Sequence, residues 1–159
     1  MNRVEDAGKV RVDDLLPLLP FTLAMSLVVS TLVVVLLWTS ISHSHLLTWY
    51  VVHHLVVLWR SLKVRSYQRV RPEPDQLAPW LRQYTFAAFV TGAIWGGVGL
   101  FLLPSEANPL YGVTLVILIG VSATALFTLA PYFPAYRALI IPLLLPTGLV
   151  LLFGGTAAS

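Results

Sequence analysis

The sequence contains no cysteine and very few charged residues. Of its 159 residues, 11% are Asp, Glu, Lys or Arg, whereas 57% are hydrophobic. Without cysteine the chain cannot form disulfides or thiolate-ligated metal sites. A soluble domain normally carries about 25% charged residues, which it needs on its surface. Together with a mean hydropathy of +0.81, the shortage of charge predicts an integral membrane protein.

The charge-free runs are long enough to cross a bilayer. No charged residue lies between positions 15 and 39, or between 85 and 104. A hydrocarbon core of about 30 Å requires roughly 20 apolar residues in a helix, and lipid demands that backbone groups be paired within each segment. We therefore predict an all-α fold, a polytopic integral membrane helical bundle with five transmembrane helices. The predicted spans are at about 18–39, 45–62, 84–103, 110–130 and 138–153.

The segments outside the spans are short. They are an N-terminal segment (1–17), a basic loop (63–83) and a C-terminal tail (154–159). The first apolar run is too long for a signal-peptide core, so we predict that it stays as an anchor. Five crossings place the tail on the side opposite the N-terminus. This favours a fragment of a longer protein with a sixth span over a complete five-span protein.

All ten Lys and Arg residues fall on one side of this arrangement. The positive-inside rule makes that side cytoplasmic, with the N-terminus inside. We expect the second helix to continue to about Val70 and its basic residues to contact anionic lipid headgroups, at about 1 kcal/mol each. These residues are Arg60, Lys63, Arg65, Arg69 and Arg71. The net charge of +3 thus reflects orientation, and we expect no nucleic-acid partner.

Two adjacent histidines, His53 and His54, lie near the middle of the second span. Ionisable side chains at this depth are costly and often functional. Neighbouring side chains on a helix point about 100° apart, so the two rings cannot both reach one ion. No Asp, Glu or Cys lies within a span, and we therefore predict no metal, haem or other cofactor in this chain.

Two interpretations of the histidine pair stay open. One is a neutral imidazole bonded to a hydroxyl on a neighbouring helix, and the other is a ligand-binding or proton-sensitive switch. The candidate hydroxyls are those of Thr91, Ser122, Thr124 and Thr128. The other two histidines, His43 and His45, are predicted to lie in a solvated turn.

Small residues recur on one face of the third span. This stripe consists of Ala88, Gly92, Gly96 and Gly99. Small residues allow two helix backbones to approach closely, so we predict a packing surface. A similar, more polar stripe in the fourth span consists of Gly120, Thr124 and Thr128. We expect any small hydrophobic ligand to bind between the two stripes, beside Trp95.

No catalytic arrangement is visible. All seven acidic residues lie outside the spans, and there is neither a phosphate-binding glycine loop nor a Ser/His/Asp set within them. We therefore predict that this chain is not an enzyme.

Three segments resemble a known type of membrane region. They are "WLRQYTFAAFVTGAIWG" (80–96), a proline-bounded hairpin (104–109) and "LAPYFPAYRALIIPLLLP" (129–146). Together they are similar to the N-terminal multi-span sensor regions of bacterial signalling proteins, especially GGDEF-type diguanylate cyclases and some histidine kinases. The resemblance implies a signal-input module that works as a homodimer through its parent protein. The catalytic residues of that family lie in a cytoplasmic output domain, and none has a counterpart here.

The expected mechanism is a change of helix packing. A ligand or a state of the membrane would shift the third to fifth spans and alter the helix that leads to the output domain. Alternatives are a transporter or channel subunit, a haem- or quinone-binding electron carrier, and a structural assembly protein.

Overall fold

The structure is a computed structural model that describes residues 18–70 and 77–154. Within these ranges it contains helices and no strands, which confirms the predicted all-helical fold. The helices are α1 (Leu19–Leu37), α2 (His43–Val70), α3 (Leu77–Phe101), α4 (Leu110–Leu129) and α5 (Phe133–Gly154). The predicted N-terminal segment, Arg71 and residues 155–159 lie outside the described residues.

Among the described residues, four helices are long and apolar enough to cross a membrane: α1, α3, α4 and α5. The second helix, α2, is the longest at 28 residues but is not one of the four. His53, His54 and Arg60 interrupt its apolar run and lower its hydropathy. The predicted second span at 45–62 therefore stays a prediction.

The connections between helices are shorter than the polar segments of the sequence. At one end, α2 begins at His43, so the hairpin before it is confined to residues 38–42. The helix continues to Val70, and α3 begins at Leu77, so both ends of the segment 63–83 are helical. The connection between α4 and α5 (130–132) is also short. Pro134 occupies the second position of α5, where the missing N–H costs the helix nothing, so the helix can begin before it.

The five helices pack in a closed circuit. Going round it, α1 contacts α2, α2 contacts α3, α3 contacts α5, α5 contacts α4, and α4 returns to α1. Helices α3 and α5 run parallel to each other. The helix between them in the sequence, α4, runs in the opposite direction. The most buried helix is α3, and the core side chains around it include Val33, Leu46, Trp95, Leu118 and Leu143.

The contact between α3 and α5 is a backbone-to-backbone approach along the glycines. The carbonyl oxygen of Leu139 lies where a Cβ on Gly92 would be, and that of Pro142 lies where a Cβ on Gly96 would be. One turn further, Gly99 faces the hydroxyl of Thr147. Ala88, at the start of the same stripe, is fully buried.

The stripe on α4 does not join this interface. A Cβ on Gly120 would meet open space, Thr124 is exposed, and both threonines, Thr124 and Thr128, donate their hydroxyls to carbonyls of their own helix. The predicted packing of Gly120, and a ligand site between the two stripes, are wrong. The reason is that α5 already occupies the glycine face of α3, while α4 turns a different face inward, formed by Thr114, Leu118, Ala125 and Leu129.

Large apolar side chains cover the outside of the bundle. Phe127 is 79% exposed, Phe101 is 72% exposed and Leu152 is 71% exposed. Exposed apolar surface on this scale is unfavourable in water. It fits a bundle whose outer surface meets lipid.

Charge is divided between the two ends of the bundle. The basic side chains of the described part are Arg60, Lys63, Arg65, Arg69, Arg82 and Arg137. They lie on the second half of α2 and near the starts of α3 and α5, which share one end. Glu106 lies in the connection 102–109 at the other end, where Asn108 Nδ2 donates to Ser40 Oγ (3.0 Å) and joins the two connections.

Candidate functional site

The most buried ionisable ring within the helices is that of His53, which is only 1% exposed. Its Nε2 lies 3.0 Å from Ser26 Oγ on α1, and its Nδ1 has no partner. A buried donor without an acceptor is rarer than a bare acceptor, so the favoured tautomer has Nε2–H donating to Ser26. A second ring proton would have no acceptor, so the arrangement favours a neutral imidazole.

Two tryptophans enclose this ring. Trp49, one turn earlier on α2, lies 5.5 Å from it with nearly parallel planes, and Trp95 of α3 meets it edge-on at 5.4 Å. The two indoles contact each other at 5.4 Å. Trp49 Nε1 also donates to the carbonyl of Ile94 (2.8 Å), across the α2–α3 interface. His53 therefore sits at the meeting point of α1, α2 and α3.

The neighbouring histidine makes different contacts. His54 is partly exposed, and its Nδ1 donates to the carbonyl of Tyr50 on its own helix (2.9 Å). The hydroxyl of Tyr50 reaches Thr31 Oγ1 on α1 (3.1 Å). Because Thr31 already donates to Leu27, Tyr50 is the donor in this second bond between α1 and α2.

Arg60 turns into the bundle. Its Nη1 donates to Thr91 Oγ1 on α3 (3.0 Å), and Thr91 in turn donates to the carbonyl of Ala87 (2.8 Å). Trp59, the residue before it, contacts Phe86, which precedes Thr91 by five residues on α3. The side chain of Arg60 therefore extends along α3 toward the middle of the bundle. Arg60 is half-buried, whereas Lys63, Arg65 and Arg69 are exposed. Contact of these residues with anionic lipid headgroups stays a prediction.

A narrow cleft lies beside Arg60, between α2 and α3 and against the first residue of α1. Its volume is about 70 Å³, and carbon atoms form most of its walls. The hydroxyl oxygen of Tyr84, which also lines the cleft, is buried and has no hydrogen-bond partner.

The predicted site residues are thus divided between two regions. His53, Trp95 and Thr91 are brought to the interface of α2 and α3, while Thr124 and Thr128 lie on another helix face. The hydroxyl that meets His53 belongs to Ser26 and to none of the four predicted candidates; Ser122 bonds to its own helix at Leu118.

Sequence reasoning missed Ser26, Trp49 and Tyr84. The spacing of Trp49, four residues before His53, places the two rings on one helix face and could have identified it. Tyr84, Thr91 and Trp95 likewise share a face of α3 at intervals of seven and four. No pattern singles out Ser26 among the hydroxyls of α1.

The outer histidines do not form a metal site. His43 stacks on Trp38 (4.3 Å between centroids) and donates from Nε2 to its carbonyl (2.9 Å). Across residues 18–70 and 77–154, no three His, Cys, Asp or Glu side chains are grouped closely enough to hold a metal ion. His43 is thus engaged with Trp38, and His45, also in the first turn of α2, is exposed.

No protein-family model matches this sequence, and searches among curated proteins and solved structures found nothing similar. Any function therefore has to be inferred from the arrangement of the side chains.

Proposed function

We propose that this chain is the membrane-embedded signal-input module of a bacterial signal transduction protein. It would cross the inner membrane five times with its N-terminus in the cytoplasm. It would pass a ligand or membrane signal to a cytoplasmic output domain outside this sequence, and act as a homodimer through that parent protein.

The polar character of α2 is compatible with a fifth span. The helix lies antiparallel to α1, with His53 opposite Ser26, and antiparallel to α3, with Trp49 opposite Ile94. If its two neighbours cross the bilayer, α2 has to cross as well. Its polar groups bond within the bundle, as polar groups of membrane helices generally do.

One observation carries the signalling role: a single continuous helix joins the buried cluster at His53 to the basic segment at the proposed cytoplasmic end. From His53 to Val70 the helix rises about 25 Å at 1.5 Å per residue. A helix transmits a tilt or a rotation along its length, so a repacking at His53 would displace the basic segment.

The side-chain hydrogen bonds of α2 are of a strength that a signal can overcome. Among the described residues, four of the bonds that hold it to its neighbours are Ser26–His53, Thr31–Tyr50, Trp49–Ile94 and Arg60–Thr91. At about 0.6 kcal/mol each, the average within membranes, they total roughly 2 to 3 kcal/mol. A difference of a few kcal/mol is what a ligand must supply to shift a two-state equilibrium.

Helices α3 and α5 would move as one body. They meet closely at three glycines, at two of them backbone to backbone and at the third against the side chain of Thr147, and close-packed interfaces have low compressibility. The moving element is therefore α2 rather than the third to fifth spans that the sequence suggested.

Distance measurements between spin labels test this role. Because the chain has no cysteine, Ser66→Cys on α2 and Phe133→Cys on α5 give a clean labelled pair near the same end of the bundle. Adding Ser26→Ala should shift or broaden the distance distribution, since α2 loses its bond to α1. The matched control Thr124→Ala should leave the distribution unchanged.

An unchanged distribution in Ser26→Ala would contradict the switching role and favour a structural protein. The reading frame after Ser159 gives an independent test. A sixth apolar run followed by a soluble output domain would support the proposal, and a stop codon there would contradict it.

A further inference from the structure

The cleft between α2 and α3 combines apolar walls with positive charge. Leu19, Leu81 and Ala87 form part of its walls, while Arg60 and Lys63 also line it. Its volume of about 70 Å³ is well below the roughly 300–1,000 Å³ of pockets that enclose a small-molecule ligand. It suits a narrow hydrocarbon segment whose remaining part lies outside.

The positive charge here has no counter-charge in the described part of the chain. Glu106 is the only acidic residue within residues 18–70 and 77–154, and it lies beyond the far end of α3. Arg60 uses one of its five N–H groups for Thr91. The hydroxyl of Tyr84, in the same cleft, has no partner. Among the described residues of the cleft, Arg60 and Lys63 therefore have N–H groups to spare and no carboxylate to receive them, which favours an anion.

Aromatic side chains line the same cleft. Tyr67 and Trp80 both contribute to it, and their rings meet edge-on at 5.2 Å. Tyrosine and tryptophan concentrate at the level of lipid headgroups. Their position places the cleft near the membrane surface, at the end of the bundle where the basic residues lie.

We propose that this cleft binds one anionic phospholipid. An acyl chain would lie along Leu19, Leu81 and Ala87, and the phosphate would accept hydrogen bonds from Lys63 and from the remaining N–H groups of Arg60. The proposal rests on the membrane insertion contained in the proposed function, but it does not depend on a signalling role.

Native mass spectrometry of the whole chain tests the site. The protein is reconstituted in vesicles of equimolar phosphatidylcholine and phosphatidylglycerol, extracted in mild detergent, and the ratio of the two lipids that it retains is measured. The native chain should retain phosphatidylglycerol in preference. Lys63→Gln should lower this preference about five-fold, the effect expected of one basic residue near the membrane surface.

The control is Arg65→Gln, which removes the same charge from an exposed position that does not line the cleft. Only lipid that stays bound through extraction is counted, so this variant should lower the preference far less than Lys63→Gln does. Arg60→Gln should lower the preference by at least as much as Lys63→Gln; if Arg60→Gln does not fold, the exposed Lys63 still gives the answer.

Two results would overturn the proposal. Equal losses in Lys63→Gln and Arg65→Gln, or no loss in either, would mean that lipid selection does not occur in the cleft. Displacement of phosphatidylglycerol by inorganic phosphate at millimolar concentration would mean that the site recognises a free anion instead of a lipid. Neither result would change the spin-label distances between positions 66 and 133, which test the signalling role separately.

Discussion

The carbonyl oxygen of Pro142 on α5 lies against Gly96 on α3, at the point that a Cβ would occupy. This carbonyl is the one that a residue at position 146 would normally bond through its N–H. Because residue 146 is proline, that donor is missing. The proline on one helix and the glycine on the other thus act together: the carbonyl lacks its usual helical partner, and the glycine allows α3 to approach it.

Replacing Gly96 with alanine should destabilise the bundle. The new methyl group would collide with a backbone oxygen, which cannot rotate away, and overpacking of this kind costs about 1–3 kcal/mol. The matched control is Gly120→Ala, where the methyl group meets open space and alanine favours the helix by up to about 1 kcal/mol. Thermal unfolding in detergent should show a lower midpoint for the first variant only. Equal midpoints would contradict the close contact of α3 and α5.

The bond between Ser26 and His53 should appear as a coupling energy. In a double-mutant cycle with Ser26→Ala and His53→Phe, we expect a favourable coupling of about 0.6–1.7 kcal/mol, the range found between membrane helices. The reason is that either single change leaves a polar atom unpaired, whereas the double change removes both. Unfolding free energies of the four proteins measure it. A coupling of zero would mean that the two side chains do not bond.

Thr91→Val should lower the free energy of unfolding, although valine has nearly the same shape as threonine. The substitution keeps the volume but removes the acceptor of Arg60, leaving a charged group partly buried without its partner, at about 1–3 kcal/mol. Thr128→Val is the control, because that hydroxyl bonds only to its own helix. Chemical denaturation in micelles should separate the two variants. A similar loss of unfolding free energy in both variants would indicate that the Arg60–Thr91 bond contributes little to stability.

The orientation of the chain can be measured with two single cysteines. Ser66→Cys lies on the basic part of α2 and Ser105→Cys lies beside Glu106, and both positions are exposed. With a membrane-impermeant maleimide on intact cells, Ser105→Cys should be labelled and Ser66→Cys protected until the membrane is opened. The reverse pattern would invert the proposed topology.

How far the sequence could predict this molecule depends on the kind of feature. The helices follow from uninterrupted apolar runs, and the extension of α2 to Val70 follows from the absence of a breaker before "RPEP" (71–74). The glycine stripe on α3 is visible because Gly92 and Gly96 recur at helical spacing. These are local properties, which a single segment carries by itself.

The choice of partners is not local, and here prediction failed. Two small-residue stripes suggested a ligand site between α3 and α4, yet the glycines of α3 pack on α5, where Pro146 leaves the carbonyl of Pro142 without its helical partner. A serine on α1 meets His53 although several threonines were equally suitable by type. Arg60 was expected to contact lipid headgroups because of its charge. Its additional bond to Thr91 inside the bundle is something that spacing alone does not show.

The parallel pairing of α3 with α5 also sets an order of assembly. The two helices are separated by the whole of α4, so the glycine face of α3 has no partner while α4 is being made. Between Phe101 and Gly154 the ribosome adds 53 residues, which takes roughly 3–10 s at usual rates of synthesis. In the proposed membrane setting, lipid or the insertion machinery would cover the groove for that time, and a truncation before Phe133 would leave it open permanently.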